Sequence, residues 1–104
     1  MSAPDLDRVA LHPSPDVVSR DIAGEHLLVP VRRGAAQMDY IFTANRVGAR
    51  IFGLLDGRRA ALEIARLVSL EFEVAPERAH ADVLGFLLAL WRSGLARPVE
   101  ERGP

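Results

Sequence analysis

The sequence predicts an α+β domain: a three-stranded antiparallel sheet followed by a three-helix bundle, in the order β-β-β-α-α-α. Three observations lead there. Between residues 17 and 42 apolar side chains recur at every second position, the period of a strand with one covered face. From residue 45 to 95 they recur instead at i, i+3, i+4 and i+7, the period of an amphipathic helix. Between the two regimes lies the stretch NRVGARIFGLLDG (45–57), with a marked start and a marked stop.

Residues 1–14 contain Pro4 and Pro13, with Pro15 just beyond, and show no sustained period. They read as a flexible, loosely packed N-terminal arm, with Val9 and Leu11 as weak candidates for docking on the core. The first strand, VVSRDI (17–22), sets Val18, Arg20 and Ile22 on one side. Ala23 and Gly24 supply a turn. The second strand, EHLLVPV (25–31), puts Leu27, Val29 and Val31 on one face and His26, Leu28 and Pro30 on the other. Pro30 donates no ladder hydrogen bond and belongs near a strand end or on an unpaired side. The third strand is QMDYIF (37–42), with Met38, Tyr40 and Phe42 on one face. Three strands are stable only with one face covered, which the helices can do.

In the first helix Asn45 is the natural N-cap, with Thr43 as a rival. Val47, Ile51, Leu54 and Leu55 share one face. A glycine inside a helix costs about 1 kcal/mol against Ala, so Gly48 implies close approach of a neighbour. Asp56 and Gly57 stop the helix. A second helix spans roughly 60–72, with Leu62, Ala65, Val68 and Phe72 on the buried face and Ile64 and Leu67 widening it. Pro76 suits the first turn of a third helix, Glu77 suits its dipole, and Gly94 ends it with Leu95 folding back. Beyond 98 the polar residues 99–104 read as a flexible tail, leaving 15–98 as the folded domain.

The third helix is apolar over more of its circumference than one contact requires. Ala79, Val83, Phe86, Leu87 and Leu90 form one stripe, and Leu84, Leu88 and Trp91 a second beside it. Together they cover about 200°, against roughly 100° for a single core contact. Either the helix is sandwiched between layers, or the second stripe lines a groove for a partner.

Composition narrows the function. A chain of 104 residues is one domain by size, able to bury roughly two-thirds of its unfolded surface. No apolar run approaches the roughly 18 residues of a membrane span, and MSAPDLDRV lacks a basic-then-apolar signal pattern, so a cytoplasmic protein with no membrane partner is expected. Cysteine is absent, which removes disulfides, thiolate ligands and thiol nucleophiles. A net charge of −1 argues against a nucleic-acid partner.

Chemistry-bearing clusters are missing as well. His12, His26 and His80 have no ligand spacing, so no metal is expected. The serines lack a nucleophile-elbow context, and Gly24 and Gly34 are turn glycines rather than a phosphate loop. No catalytic residue and no cofactor are expected, and a binding module is what remains.

The run N-x-V-G-A-x-I-F-x-L-L-D-G resembles the first-helix signature of the PqqD-like family, also called RiPP recognition elements. The likeness extends over about 15–95. It takes in Pro13, Ser14 and Pro15, the stretch Gly24, Glu25, His26, Leu27, Leu28 and Val29, then Glu63, Ile64 and Ala65, and finally Asp82, Val83, Phe86, Leu87, Leu90, Gly94 and Leu95. Phe52 stands where many members carry Trp, and a Pro-Glu-Gly run before the third strand, expected of the pyrroloquinoline quinone member, is absent. The chain is therefore similar to the wider family.

The resemblance implies a winged-helix-like, non-catalytic peptide chaperone. Such a domain binds the leader segment of a ribosomally made precursor peptide and delivers it to a modifying enzyme, often a radical SAM protein. The peptide adds as a strand beside the third strand and packs on the third helix. Main-chain hydrogen bonds then give affinity, and alternate side chains give specificity. The implied contacts are Gln37, Met38, Asp39, Tyr40 and Ile41 on the strand and Leu84, Leu88 and Trp91 on the helix, with Arg32 and Arg33 at the rim. Two alternatives stand beside this. One is a small winged-helix DNA-binding regulator using Arg46, Arg50, Arg58, Arg59 and Arg66. The other is a dimerisation domain, a homodimer through edge strands or third helices.

Overall fold

A computed structural model describes residues 3–15, 17–30 and 42–98. Its elements run β1 (Leu11–Pro13), β2 (Val17–Ile22), β3 (Glu25–Pro30), β4 (Phe42–Ala44), α1 (Arg46–Gly53), α2 (Ala61–Phe72), α3 (Pro76–Arg92) and β5 (Ala96–Pro98). The α+β class with antiparallel strands and three helices holds. Among the described residues the strands form two sheets, ordered β2-β3-β4 and β1-β5.

The β2–β3 hairpin closes through Ala23 and Gly24, both at positive φ (53° and 84°). Two such residues match the twist of the flanking strands. The turn sets the register, Ile22 opposite Glu25 through to Val17 opposite Pro30, and so puts Pro30 at the strand's end. Leu28 faces inward and is fully buried, while Leu27 and Val29 are half-buried. The strand next to β3 is the short β4, paired His26–Ala44, Leu27–Thr43 and Leu28–Phe42. It shares only Phe42 with the strand expected at 37–42; Gln37, Met38, Asp39, Tyr40 and Ile41 lie outside the described residues.

The expectation of a loosely packed arm over 1–14 is corrected for residues 3–14. Leu6 and Leu11 are core residues, and β1 pairs antiparallel with β5, Leu11 opposite Pro98 and Pro13 opposite Ala96. Ala60 gives α2 no side-chain cap. The Leu6 carbonyl accepts from Ala61 N (2.8 Å) instead, and the Leu11 carbonyl accepts from Gly57 N (3.1 Å). Asp7 Oδ1 lies 2.7 Å from His80 Nε2 on α3, and Ser14 N donates to the Leu95 carbonyl (2.9 Å). The prolines break periodicity without preventing extended pairing, so a segment with no sequence rhythm still docks. Residues 99–104 of the expected tail lie outside the described residues.

The helices differ from expectation in two places. α1 ends at Gly53, before the expected stop at Asp56 and Gly57. Gly57 does take a positive φ (80°), but Asp56 Oδ1 accepts from Arg58 N (2.9 Å) and Arg59 N (3.1 Å), building a separate turn. Leu54 and Leu55 stay buried although they leave the helix. In α2 the buried residues are Ala61, Ile64, Ala65 and Val68. Leu62, expected inside, is 56% exposed, because the inward stripe passes beside it. α3 runs as expected from Pro76, with Gly94 at φ 75°. Leu95 folds back, its N–H on the Leu90 carbonyl (2.9 Å) and its side chain buried. The core gathers Leu6, Leu11, Leu28, Ile51, Ile64, Val68, Val83, Leu87 and Leu90 between the sheets and the helices.

Candidate functional site

In the β2-β3-β4 sheet nothing among the described residues pairs with the outer side of β4. An unpaired edge presents backbone donors and acceptors to an added strand. β4 runs directly into α1 through Asn45, whose side chain accepts from Gly48 N (2.8 Å) and settles the cap against Thr43. Gly48 is buried, and a Cβ on it would come 3.0 Å from Phe86 Cε1 and 3.2 Å from Ala44 Cβ. The close approach expected at Gly48 is therefore made by α3 and by the end of β4.

α3 divides as the two stripes suggested. Ala79, Val83, Leu87 and Leu90 are fully buried, whereas Leu84, Leu88 and Trp91 are half-buried, with Leu84 and Leu88 packed against the core. The half-buried flank continues at His80, one turn before Leu84, where Asp7 meets it. At about 100° per residue, Phe86 lies roughly 140–160° around the helix from Leu84, Leu88 and Trp91. The α3 side chain that reaches the junction of α1 and β4 is thus Phe86. Sequence periodicity grouped Phe86 with the core; Gly48 was the signal that a neighbour would close on it, but its identity depends on how α1 lies over α3.

A second polar feature surrounds the hairpin tip. His26 Nδ1 lies 2.7 Å from Asp21 Oδ1 and His26 Nε2 lies 2.8 Å from Ser19 Oγ. The two-residue turn at Ala23 and Gly24 puts Asp21 opposite His26, so this grouping followed from the register. With Nδ1–H donating to the carboxylate, a neutral ring accepts from the Ser19 hydroxyl at Nε2. The connectivity is that of a nucleophile–base–acid relay. Yet the Asp21 side chain is 78% exposed, and such relays depend on a buried acid and a dry site. We read it as a cross-strand brace. It borders an open cleft of about 520 Å³ that Arg46, Arg50, Glu71 and Phe72 also line.

Across that cleft Arg50 Nε and Nη2 donate to Glu71 Oε1 (2.9 Å) and Oε2 (2.8 Å), a bidentate fork joining α1 to α2. The hydrogen bond and charge of each partner hold the Glu71 carboxyl below the usual carboxylate range and raise Arg50. Asp56 is likewise lowered, chiefly by the Arg58 backbone N–H. No group of His, Asp and Glu among the described residues has the arrangement of a metal site. None of their helices is long and apolar enough to cross a membrane. On α3 the exposed Arg78 is turned toward Asp82 (3.6 Å), and Glu77 is exposed as well. A helix that reads base edges presents Arg, Asn or Gln instead.

Comparison with known proteins places this architecture. Three solved structures are similar. TbiB1 in complex with the TbiA(beta) leader peptide matches with a TM-score of 0.65 and 27% identity, over 88% of this chain and 99% of its own. A lasso peptide synthetase B1 complexed with its leader peptide has a TM-score of 0.68 and 20% identity, over 85% and 98%. The PqqD truncation of Methylobacterium extorquens PqqCD, a stand-alone RiPP recognition element, has a TM-score of 0.69 and 21% identity, over 91% and 95%. No curated protein sequence matches significantly. The family model for coenzyme PQQ synthesis protein D (PqqD) matches residues 25–96, well over half of the chain and the whole span from β3 to the start of β5, so this protein belongs to the PqqD family.

Proposed function

We propose that this protein is a non-catalytic peptide chaperone of winged-helix-like architecture. It binds the leader segment of a ribosomally synthesised precursor by strand addition and presents it to a modifying enzyme, such as a radical SAM protein, in the cytoplasm. The observation that carries this reading is the outer edge of β4, unpaired among the described residues, with Phe86 of α3 at its end. Such an edge and an adjacent apolar wall are what strand addition requires. The reading is supported by TbiB1, 27% identical, whose structure holds a leader peptide.

On this reading the peptide extends the sheet along Gln37, Met38, Asp39, Tyr40 and Ile41 and along β4. Phe86 forms the wall at the end of β4, and Leu84, Leu88 and Trp91 form an apolar surface further round α3. The test is an NMR titration with the leader peptide encoded nearest to this gene. Amide shifts concentrated at 37–44 and on α3 are expected. Shifts at Leu84, Leu88 and Trp91 without any at 42–44 or Phe86 would move the peptide to the flank bounded by Asp7. No shifts at all would overturn the proposal.

A further inference from the structure

Gly48 stands where three elements converge. It is the third residue of α1, and its N–H is held by the Asn45 cap (2.8 Å), so the backbone there cannot drift without breaking that bond. A Cβ at 48 would meet Phe86 Cε1 at 3.0 Å, Phe86 Cζ at 3.1 Å and Ala44 Cβ at 3.2 Å. These separations are tighter than ordinary van der Waals contact, so a neighbour must yield. Ala44 is buried, and its methyl has no rotamer to change. Phe86 is half-buried and packed against the core, and of the two neighbours it is the one whose side chain has rotamers to change.

We infer that Gly48 is a positioning residue for the bound peptide: its missing side chain seats the Phe86 ring against α1 and so keeps open the space between the β4 edge and α3. The inference rests on the strand-addition reading. A residue added opposite Ala44 points its side chain to the same face of the sheet as Ala44, because directly paired residues share a face. That face carries Ala44 toward Gly48 and Phe86. The side chain received there is apolar, since it meets a methyl and a phenyl ring. A methyl added at 48 requires the ring to give by a few tenths of an ångström, away from α1 and toward the path of that side chain.

A natural control exists in the same helix. A Cβ at Gly53 would meet nothing within 4 Å. Gly53→Ala therefore receives the helix-propensity benefit of alanine without the wedge.

The test is calorimetric titration of the full chain with the leader peptide, for wild type, Gly48→Ala, Gly53→Ala, Phe86→Leu and the double variant Gly48→Ala/Phe86→Leu. Gly48→Ala is expected to bind about tenfold more weakly while keeping its cooperative unfolding. Gly53→Ala is expected to bind as wild type does. The double variant, relieved of the ring carbons, is expected to bind like Phe86→Leu alone. Aromatic 13C-resolved spectra of the free protein should show the Phe86 ring moving in Gly48→Ala and not in Gly53→Ala.

Wild-type binding with Gly48→Ala within twofold of it would overturn the inference and leave strand addition standing. Absence of wild-type binding would overturn both. Should Gly48→Ala not fold, the double variant carries the test: affinity far below that of Phe86→Leu alone would refute a role acting through the ring.

Discussion

Replacing Leu11 by Ala asks whether the N-terminal residues are part of the fold or an appendage. Leu11 is 1% exposed. The substitution deletes three buried carbons, a transfer loss of about 2.4 kcal/mol at roughly 0.8 kcal/mol each. The cavity left behind adds to this, and buried Leu→Ala changes span about 2.7–5.0 kcal/mol. Among the described residues β1 pairs with the three-residue β5 alone. Its neighbours can relax into part of the void, which favours the lower end, about 3 kcal/mol. For a domain of this size each kcal/mol moves the Tm by roughly 4–8 °C, so a fall of about 12–24 °C is expected. Urea unfolding followed by the fluorescence of Trp91, the one tryptophan in the chain, would report the same loss as a shifted midpoint at constant slope. Leu62→Ala is the control, since Leu62 is 56% exposed and surface changes usually stay within about 0.5 kcal/mol. If Leu11→Ala costs no more than Leu62→Ala, β1 is not docked in solution and the reasoning fails.

Asn45→Ala removes the acceptor for Gly48 N and should cost about 1 kcal/mol, whereas Thr43→Ala should leave α1 capped; thermal unfolding of the two variants separates them. Glu71 is held below the usual carboxylate range by Arg50. A carboxylate with a depressed folded-state pKa contributes stability that is present above its unfolded pKa and is lost as pH falls through the folded one. The stability difference between wild type and Glu71→Gln should therefore be full near neutrality and vanish on acidification. Because the pair is solvent-exposed, added salt should shrink that difference at neutral pH. A difference independent of both pH and salt would remove Arg50–Glu71 as its source.

Much of the fold could be read from local rhythm. The period-two stretch at 17–30 became the hairpin, because its turn residues and its alternation agree on one register. Pro76, Glu77 and Gly94 bounded α3 correctly, since helix ends are written in residues that act on their own backbone. Asn45 was legible as a cap for the same reason. The inward face of α2 was misjudged at Leu62 because its apolar positions fit more than one stripe, and only packing selects among them.

What the sequence by itself determined is thus the class of the domain, its helix ends, its hairpin register, the need for a close neighbour at Gly48 and a third helix with apolar surface to spare. These rest on interactions within a few residues. The tertiary structure alone decided that an aperiodic, proline-bearing N-terminal stretch supplies Leu6 to the core beside the docking candidate Leu11, and a carbonyl to the uncapped start of α2. It also decided that Phe86 of α3 is what closes on Gly48, beside Ala44 at the end of β4. Both depend on contacts between residues far apart in the chain. Periodicity carries no information about such contacts, because it records which side of an element is apolar and not what that side will touch.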